Sequence, residues 1–362
     1  MASIWKNKLS LSIFGQSHAP AIGMTLDGLP AGIHIDQDLL QQFLNRRAPG
    51  RNPWSTKRKE ADIPEFLTGL VNDKTCGAPI TAVIYNQNMQ PADYENLKKS
   101  PRPGHADFPA QIKHGGNQDI AGGGHFSGRL TAPLCIAGGI ALQILAEKGI
   151  YIGAHIASIG HVDDASFDPV NIEKNQLQQV VKKEFPVIND SAGEMMKTAV
   201  AVVKKETDSI GGTIECAIIG LPVGLGAPMF DGIENRLSAL MFAIPAIKGI
   251  EFGAGFDVAT MRGSEHNDNY YYDGNLIKTS TNHHGGILGG LTTGMPLIFK
   301  IAIKPTSSIS KKQNSVDMSS GENTTLEIHG RHDPCIVPRA VPCVEAAAAI
   351  CILDVLLEEG KL

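Results

Sequence analysis

FSGRLTAPLCIAGGIALQILAEK, residues Phe126–Lys148, and VEAAAAICILDVLLEE, residues Val344–Glu359, decide the fold. Both are rich in Ala, Leu and Ile with few charges, the composition of helices apolar all round and therefore buried. Buried helices need other layers around them. Gly138-Gly139 strips two side chains from the first helix, so another backbone can come close. An arginine stands near each start: Arg129 in the first, Arg339 just ahead of the second. The likeness hints at two related halves.

Around them, apolar patterning predicts strands at Leu9–Phe14, Ala21–Leu26, Pro79–Tyr85, Gly212–Ile219 and Pro296–Ile303. A helix is expected at Gln37–Arg47, capped by Asp36, with Leu39, Leu40 and Phe43 as its apolar stripe. Further helices are expected at Ala92–Lys99, Asn171–Phe185, Ser191–Lys205 and Glu234–Ala243. Ala48–Lys59 reads as a basic, turn-rich loop, and Gln313–Thr325 as a mobile polar loop, a candidate lid. No Pro/Ser-rich linker divides the chain, so one α+β domain over residues 1–362 is the simplest arrangement.

Composition excludes several classes. Hydrophobic residues make up 42% and charged residues 19%, as in ordinary globular proteins. A net charge of −5 argues against a general nucleic-acid binder. The longest apolar stretches carry polar breaks and read as too short for a membrane span. Met1–Lys6 lacks a signal-peptide pattern, so a cytoplasmic location is expected. The six cysteines form no C-x-x-C pair and there is no H-E-x-x-H, so no metal site is expected; several read as buried thiols.

Five clusters can carry chemistry. Gly330–Arg339 reads GRHDPCIVPR, with Pro and Gly holding it as an ordered loop. Its arginines offer planar forks for carboxylate or phosphate, and Asp333 can act as a base or simply pair with them. Gly15-Gln16-Ser17-His18 ends a strand; without a nucleophile elbow, His18 is a proton donor or acceptor, or a turn-stabilising histidine. Arg46-Arg47-Ala48-Pro49-Gly50-Arg51, followed by Lys57-Arg58-Lys59, suits a polyanion or a solvated face. Arg102-Pro103-Gly104-His105-Ala106-Asp107 repeats the arginine–histidine–aspartate theme. Gly122–Arg129 opens a helix, where backbone N–H groups bind anions. A plain N-cap explains Ser127 equally well. Gly285–Gly290 lets a flat ligand approach the backbone, and Lys304-Pro305-Thr306-Ser307-Ser308 adds donors. Neither a Walker A sequence nor a well-placed G-x-G-x-x-G is present. The shared theme is a small, multiply anionic substrate with proton transfers. A non-catalytic anion-binding or scaffold protein is the rival reading.

In order along the chain, GQSHA at Gly15, RRAPG at Arg46, RPGHAD at Arg102, GGGHFSGRLTA at Gly122, GSEHND at Gly263, TNHHGGILGG at Thr281, KPTSS at Lys304 and GRHDPCIVPRAVP at Gly330 resemble the chorismate synthase family. The resemblance implies conversion of 5-enolpyruvylshikimate 3-phosphate (EPSP) to chorismate and phosphate. This is a 1,4-trans elimination that needs reduced FMN without net redox change, the last shared step of the shikimate pathway. It implies a β-α-β sandwich, a helical layer between antiparallel sheets with internal pseudo-symmetry, and a homotetramer. It implies that Arg47, Arg102, Arg129 and Arg339 bind substrate, with Arg51 serving where a family arginine is replaced by Pro53. His18 would help the departing phosphate, His105 would protonate reduced flavin, and Asp333 would act at flavin N5, with Ser17 and Ser127 as relays. FMN would lie against His125, Phe126, Ser127, Ala246, Gly289, Lys304, Pro305, Thr306, Ser307, Ser308 and Arg331. NADPH could be an indirect reductant; the lack of large insertions favours an external flavin reductase. Departures from the family are Gln16 for glutamate, His125-Phe126 and Leu130 in the glycine motif, Pro53 and Pro245.

Overall fold

Two five-stranded antiparallel sheets enclose the long helices. The computed structural model describes residues 3–52, 54–56, 60–87, 97–328 and 332–362. In the first sheet, Ile4–Lys6, Ser10–Gly15, Ala21–Asp27, Ile80–Tyr85 and Glu65–Thr68 lie side by side. In the second the order is Ile247–Phe252, Leu297–Ile303, Gly212–Ile219, Tyr151–Ile159 and Val162–Asp163. Numbered one to five in chain order within each sheet, the strands run 1-2-3-5-4 in the first and, read from the other edge, 2-1-3-5-4 in the second. Each sheet is followed along the chain by one long apolar helix, Thr131–Glu147 and Val337–Glu358. The 3-5-4 portion and the helix that follows are common to both halves, while the first two strands are exchanged.

Thr131–Glu147 packs on the first sheet and on Val337–Glu358, which packs on the second. At their crossing a Cβ on Gly138 would lie 2.2 Å from the Cβ of Ala346, so only glycine fits. A Cβ on Gly139 would meet Leu40 at 2.5 Å, where Gln37–Arg47 joins the helical layer. Every residue from Ala340 to Leu356 is buried. Each fully buried Leu, Ile or Val contributes about 1.5–3 kcal/mol relative to exposure. Two carboxylates in this helix are buried with partners. Glu345 takes a two-pronged bond from Arg46 and one from the Ala154 N–H. Asp354 accepts from Trp5, Asn7 and the Leu9 N–H, tying the N-terminal strand to the core.

Several expectations need correction. Gly128–Glu147, which adds a short 3-10 turn to the first helix, and Val337–Glu358 are long and apolar enough, by length and composition, to cross a membrane; their bulk is buried inside the fold. The first starts at Thr131 rather than Phe126, because Gly122, Gly123 and Gly124 are left-handed and Ser127 is extended. The second starts at Val337 rather than Val344: Pro338 sits in the first turn, and Pro342 is carried within the helix. Leu39 points to solvent, and Leu44 takes its place facing the core. Asn171–Phe185 shortens to Lys174–Val181. Gln313–Thr325 is a β-hairpin, Gln313–Asp317 with Glu322–Leu326, not a mobile loop. It is fastened to the chain before Arg102 by Ser315 to the Pro101 carbonyl and by the Met318 N–H to the Lys99 carbonyl. The helix expected at Ala92–Lys99 falls mostly outside the described residues. Cys135, Cys216, Cys335, Cys343 and Cys351 are buried as expected, while Cys76 is exposed.

Candidate active site

The two long helices begin side by side at one wall of a cavity of about 1230 Å³. Ser127, Arg129 and Thr131 line it from the first helix start, Ile336, Arg339 and Ala340 from the second. Helix starts carry N–H groups without intrahelical partners, so both favour an anion there.

The glycine run explains how the remaining clusters reach this wall. Gly122, Gly123 and Gly124 have φ of 60°, 85° and 53°. A Cβ on Gly122 would lie 2.3 Å from the His18 imidazole and 2.7 Å from the Ser17 hydroxyl. One on Gly123 would lie 3.0 Å from His105 Nε2. The Ser17 N–H donates to the Gly124 carbonyl at 3.1 Å. Both histidine loops thus press against bare backbone at Gly122 and Gly123, while Gly124 makes room for the Asp119 carbonyl.

Each site arginine is held by a carboxylate. Arg102 grips Asp107 with Nε and Nη2, both at 2.7 Å, and donates to Ser308 Oγ at 3.0 Å. His105 Nδ1 lies 2.6 Å from the same carboxylate, which accepts a hydrogen bond from it; Nε2 is left on the Gly123 side. Burial pushes the Asp107 carboxyl up, but the bonds from Arg102 and His105 outweigh it and hold it well below the usual range. Asp62, fully buried, bridges Arg47 Nη1 at 2.8 Å and Arg129 Nη1. Burial raises its carboxyl as well; the two guanidinium charges win and lower it. Arg47 also donates to Thr131 Oγ1 at 3.0 Å and to the Gly128 carbonyl at 2.9 Å. Arg129 Nε reaches Asn86 at 3.1 Å; its buried Nη2 makes no hydrogen bond among the described residues and lies 3.9 Å from Glu60. Asp333 accepts from Arg339 Nη1 at 2.5 Å and from the Thr56 N–H at 2.7 Å. Burial pushes the Arg339 guanidinium down, Asp333 opposing and Arg47 adding to that shift.

A second wall carries His125, Phe126, Ala246 and Lys304–Ser308. His125 is fixed by Ser3 Oγ at 2.5 Å and the Gly15 carbonyl at 2.8 Å, leaving Phe126 as the apolar surface. Ser127 Oγ accepts from the Arg129 N–H at 3.3 Å, as a plain cap does. Lys304 Nζ donates to the Gly104 carbonyl and to Ser307 Oγ, at 2.7 and 2.6 Å. Burial, with Lys248 nearby, lowers its ammonium pKa. Ala246, beside the departure at Pro245, takes φ +79° and accepts the Lys304 N–H at 3.0 Å.

The cavity thus gathers Ser17, His18, Arg47, Arg102, His105, Ser127, Arg129, Asp333 and Arg339 from five separate clusters. Two expected residues stand apart. Arg51 bonds Asn45 at 2.6 Å and lines a separate hollow with Lys182 and Lys183. Gly289 is exposed and does not line the cavity; the preceding Gly286 is pressed on the Pro296 carbonyl instead. Arg331, Pro53 and Lys57–Lys59 lie outside the described residues. Sequence reasoning missed Asp62, Glu60 and Asn86. Glu60-Ala61-Asp62 directly after a basic run was the available signal.

At about 1230 Å³ the cavity exceeds the roughly 300–1,000 Å³ of a single small-molecule site. It offers several cations, five histidines and an apolar wall, which suits a polyanion beside a flat ring. A family model described as chorismate synthase matches residues 9–357. Chorismate synthase from Lancefieldella parvula is 47% identical over 98% of this chain and 96% of its own. That of Korarchaeum cryptofilum is 41% identical over 99% and 98%, and that of Thermococcus kodakarensis 43% over 96% of each. A crystal structure of chorismate synthase superposes with a TM-score of 0.75 at 27% identity, covering 97% of this chain and 92% of that one.

Proposed function

The chain belongs to the chorismate synthase family, lyases of aromatic amino-acid biosynthesis, and from that premise we propose that it converts EPSP to chorismate and phosphate by 1,4-trans elimination, using reduced FMN without net redox change. The observation that supports this most is the convergence of Arg47, Arg102, Arg129, Arg339, His18 and His105 on one cavity. EPSP carries two carboxylates and a phosphate; several fixed guanidinium groups hold such a molecule aligned and away from water.

His125, Phe126, Ser127, Ala246 and Lys304–Ser308 would hold FMN, and these residues fit it: an apolar face beside a cluster of ammonium and hydroxyl donors. Reduced FMN, when bound there, would supply transient electron density to the eliminating substrate. His18 gives a proton to the departing phosphate. His105, oriented by Asp107, holds a proton at Nε2. Ser17, packed against the same glycine as His18, relays protons there. Asp333 receives the proton that leaves the ring, and its pairing with Arg339 fixes its position. Because Asp333 also offsets the charge of Arg339, Asp333→Ala should cripple turnover while EPSP binding persists. Equal losses in both would remove this role.

The chain works as one cytoplasmic domain and as a homotetramer, fed with reduced flavin by an outside reductase; one contiguous core running through both sheets supports the single domain. The test is anaerobic turnover of EPSP with photoreduced FMN. Chorismate and phosphate should appear in equal amounts, with the flavin still reduced. No product despite flavin binding would overturn the assignment. NADPH as sole reductant should give no turnover until a flavin reductase is added.

A further inference from the structure

Among the described residues, Cys343 is the one cysteine that lines the cavity. It lies on the second long helix, one turn before Ala346; Cys135 lies on the first, one turn before Gly138. Gly138 and Ala346 mark the place where the two backbones nearly touch. The two sulfurs are therefore brought to 3.8 Å, van der Waals contact, with Cys135 behind Cys343 as seen from the cavity. A disulfide needs about 2.05 Å, so a side-chain rotation between helices already in contact closes the gap.

We propose that Cys343 and Cys135 form a peroxide-reactive dithiol: Cys343 is oxidised from the cavity, and Cys135 then closes an interhelical disulfide. In the first step the Cys343 thiolate attacks one oxygen of hydrogen peroxide. An S–O bond forms, the O–O bond breaks, and hydroxide leaves to become water. In the second, Cys135 sulfur attacks Cys343 sulfur; the S–S bond forms, the S–O bond breaks, and hydroxide takes the Cys135 proton. Two thiols are oxidised, and one peroxide is reduced to two waters.

The surroundings assign the order. A hydrogen bond from the Cys135 thiol, with Arg47, Thr131 and Arg339 nearby, brings the Cys343 thiol below its ordinary value despite burial. Burial, together with that bond, pushes the Cys135 thiol far up. Cys343 is thus the nucleophile and Cys135 the resolving thiol. Cys216 and Cys351 are buried with raised pKa and do not reach the cavity.

The test uses the full chain, reduced and freed of reductant, then exposed to hydrogen peroxide. Remaining thiols are alkylated in denaturant and the peptides mapped. Two of the six thiols should disappear together, the peptides of Cys135 and Cys343 should be linked, and dithiothreitol should restore both. In Cys135→Ser the link should vanish, and dimedone should label Cys343. The proposal is overturned if both cysteines stay alkylatable while Cys76 is consumed. It is equally overturned if the link forms only after unfolding in urea. The wild-type map decides the matter even where Cys135→Ser fails to fold.

Discussion

Asp62 sits between Arg47 and Arg129 with its side chain wholly buried and its backbone at φ +51°. One carboxylate therefore offsets two guanidinium groups that face the same cavity. Asp62→Asn keeps the shape and removes the charge. Breaking a buried pair from one side costs about 3–5 kcal/mol. Part of that should be recovered when another anion takes the place of the carboxylate. The variant is expected to melt below wild type and to gain more from added phosphate or EPSP than wild type does. Equal ligand-induced shifts in both proteins would show that Asp62 does not offset the substrate-binding cations. The sequence announced the arginines, because their motifs are local and sit between Pro and Gly. It did not announce their counter-charges, because Asp62 meets Arg47 and Arg129 only after the loop, the helix and the glycine run have come together. Ser127 was open between relay and cap, and its hydroxyl is found capping. Arg51 was enlisted by proximity to Arg47, but it lies past the end of that helix and turns to Asn45.

At the scale of elements, the strand Tyr151–Ile159 carries His155, fully buried between Asp164 at 3.1 Å and Glu215 at 2.9 Å. Phe167 closes the remaining side edge-on at 4.8 Å. Burial pushes the imidazole pKa down, yet the bonds to the two carboxylates outweigh it and raise it. A pKa raised on folding means that the folded state holds the proton where the unfolded chain has lost it. The stabilisation is complete below the unfolded value of about 6.5 and is lost as pH rises through the raised folded value. His155→Gln should cost about 3 kcal/mol or more at pH 6, because two buried carboxylates lose their cation. The deficit should shrink above the raised pKa, as wild type loses the same contribution. Urea unfolding of both proteins across pH 6 to 9 checks this; a constant difference would mean that His155 stays neutral. The sequence missed this strand because it is covered on both faces, so its apolar run lacks the alternation of a half-exposed strand. Gly212–Ile219 beside it and Gln37–Arg47 were legible to the residue. The Gln313–Leu326 hairpin was not, since most of its side chains are polar and face solvent.

For the whole molecule, two like halves put two helix starts together, so the site forms where the halves meet and neither half contains it. Between Val223 and Ile277, Phe256 is 85% exposed, Phe230 83%, Tyr272 77% and Met229 75%. Isolated exposed apolar residues are common, but so many large ones in about fifty residues fit a surface that another protein covers. A second copy of this chain is the expected partner, in keeping with the proposed homotetramer. Sedimentation velocity at micromolar concentration should give about four times the 38.6 kDa of one chain. Phe230→Asp and Phe256→Asp should lower that mass while leaving far-UV circular dichroism unchanged, because neither ring contributes to the core. A monomer with full chorismate-forming activity would sink the tetramer as a working unit. It would also leave the residues lining this cavity, all from one chain, as a sufficient catalyst.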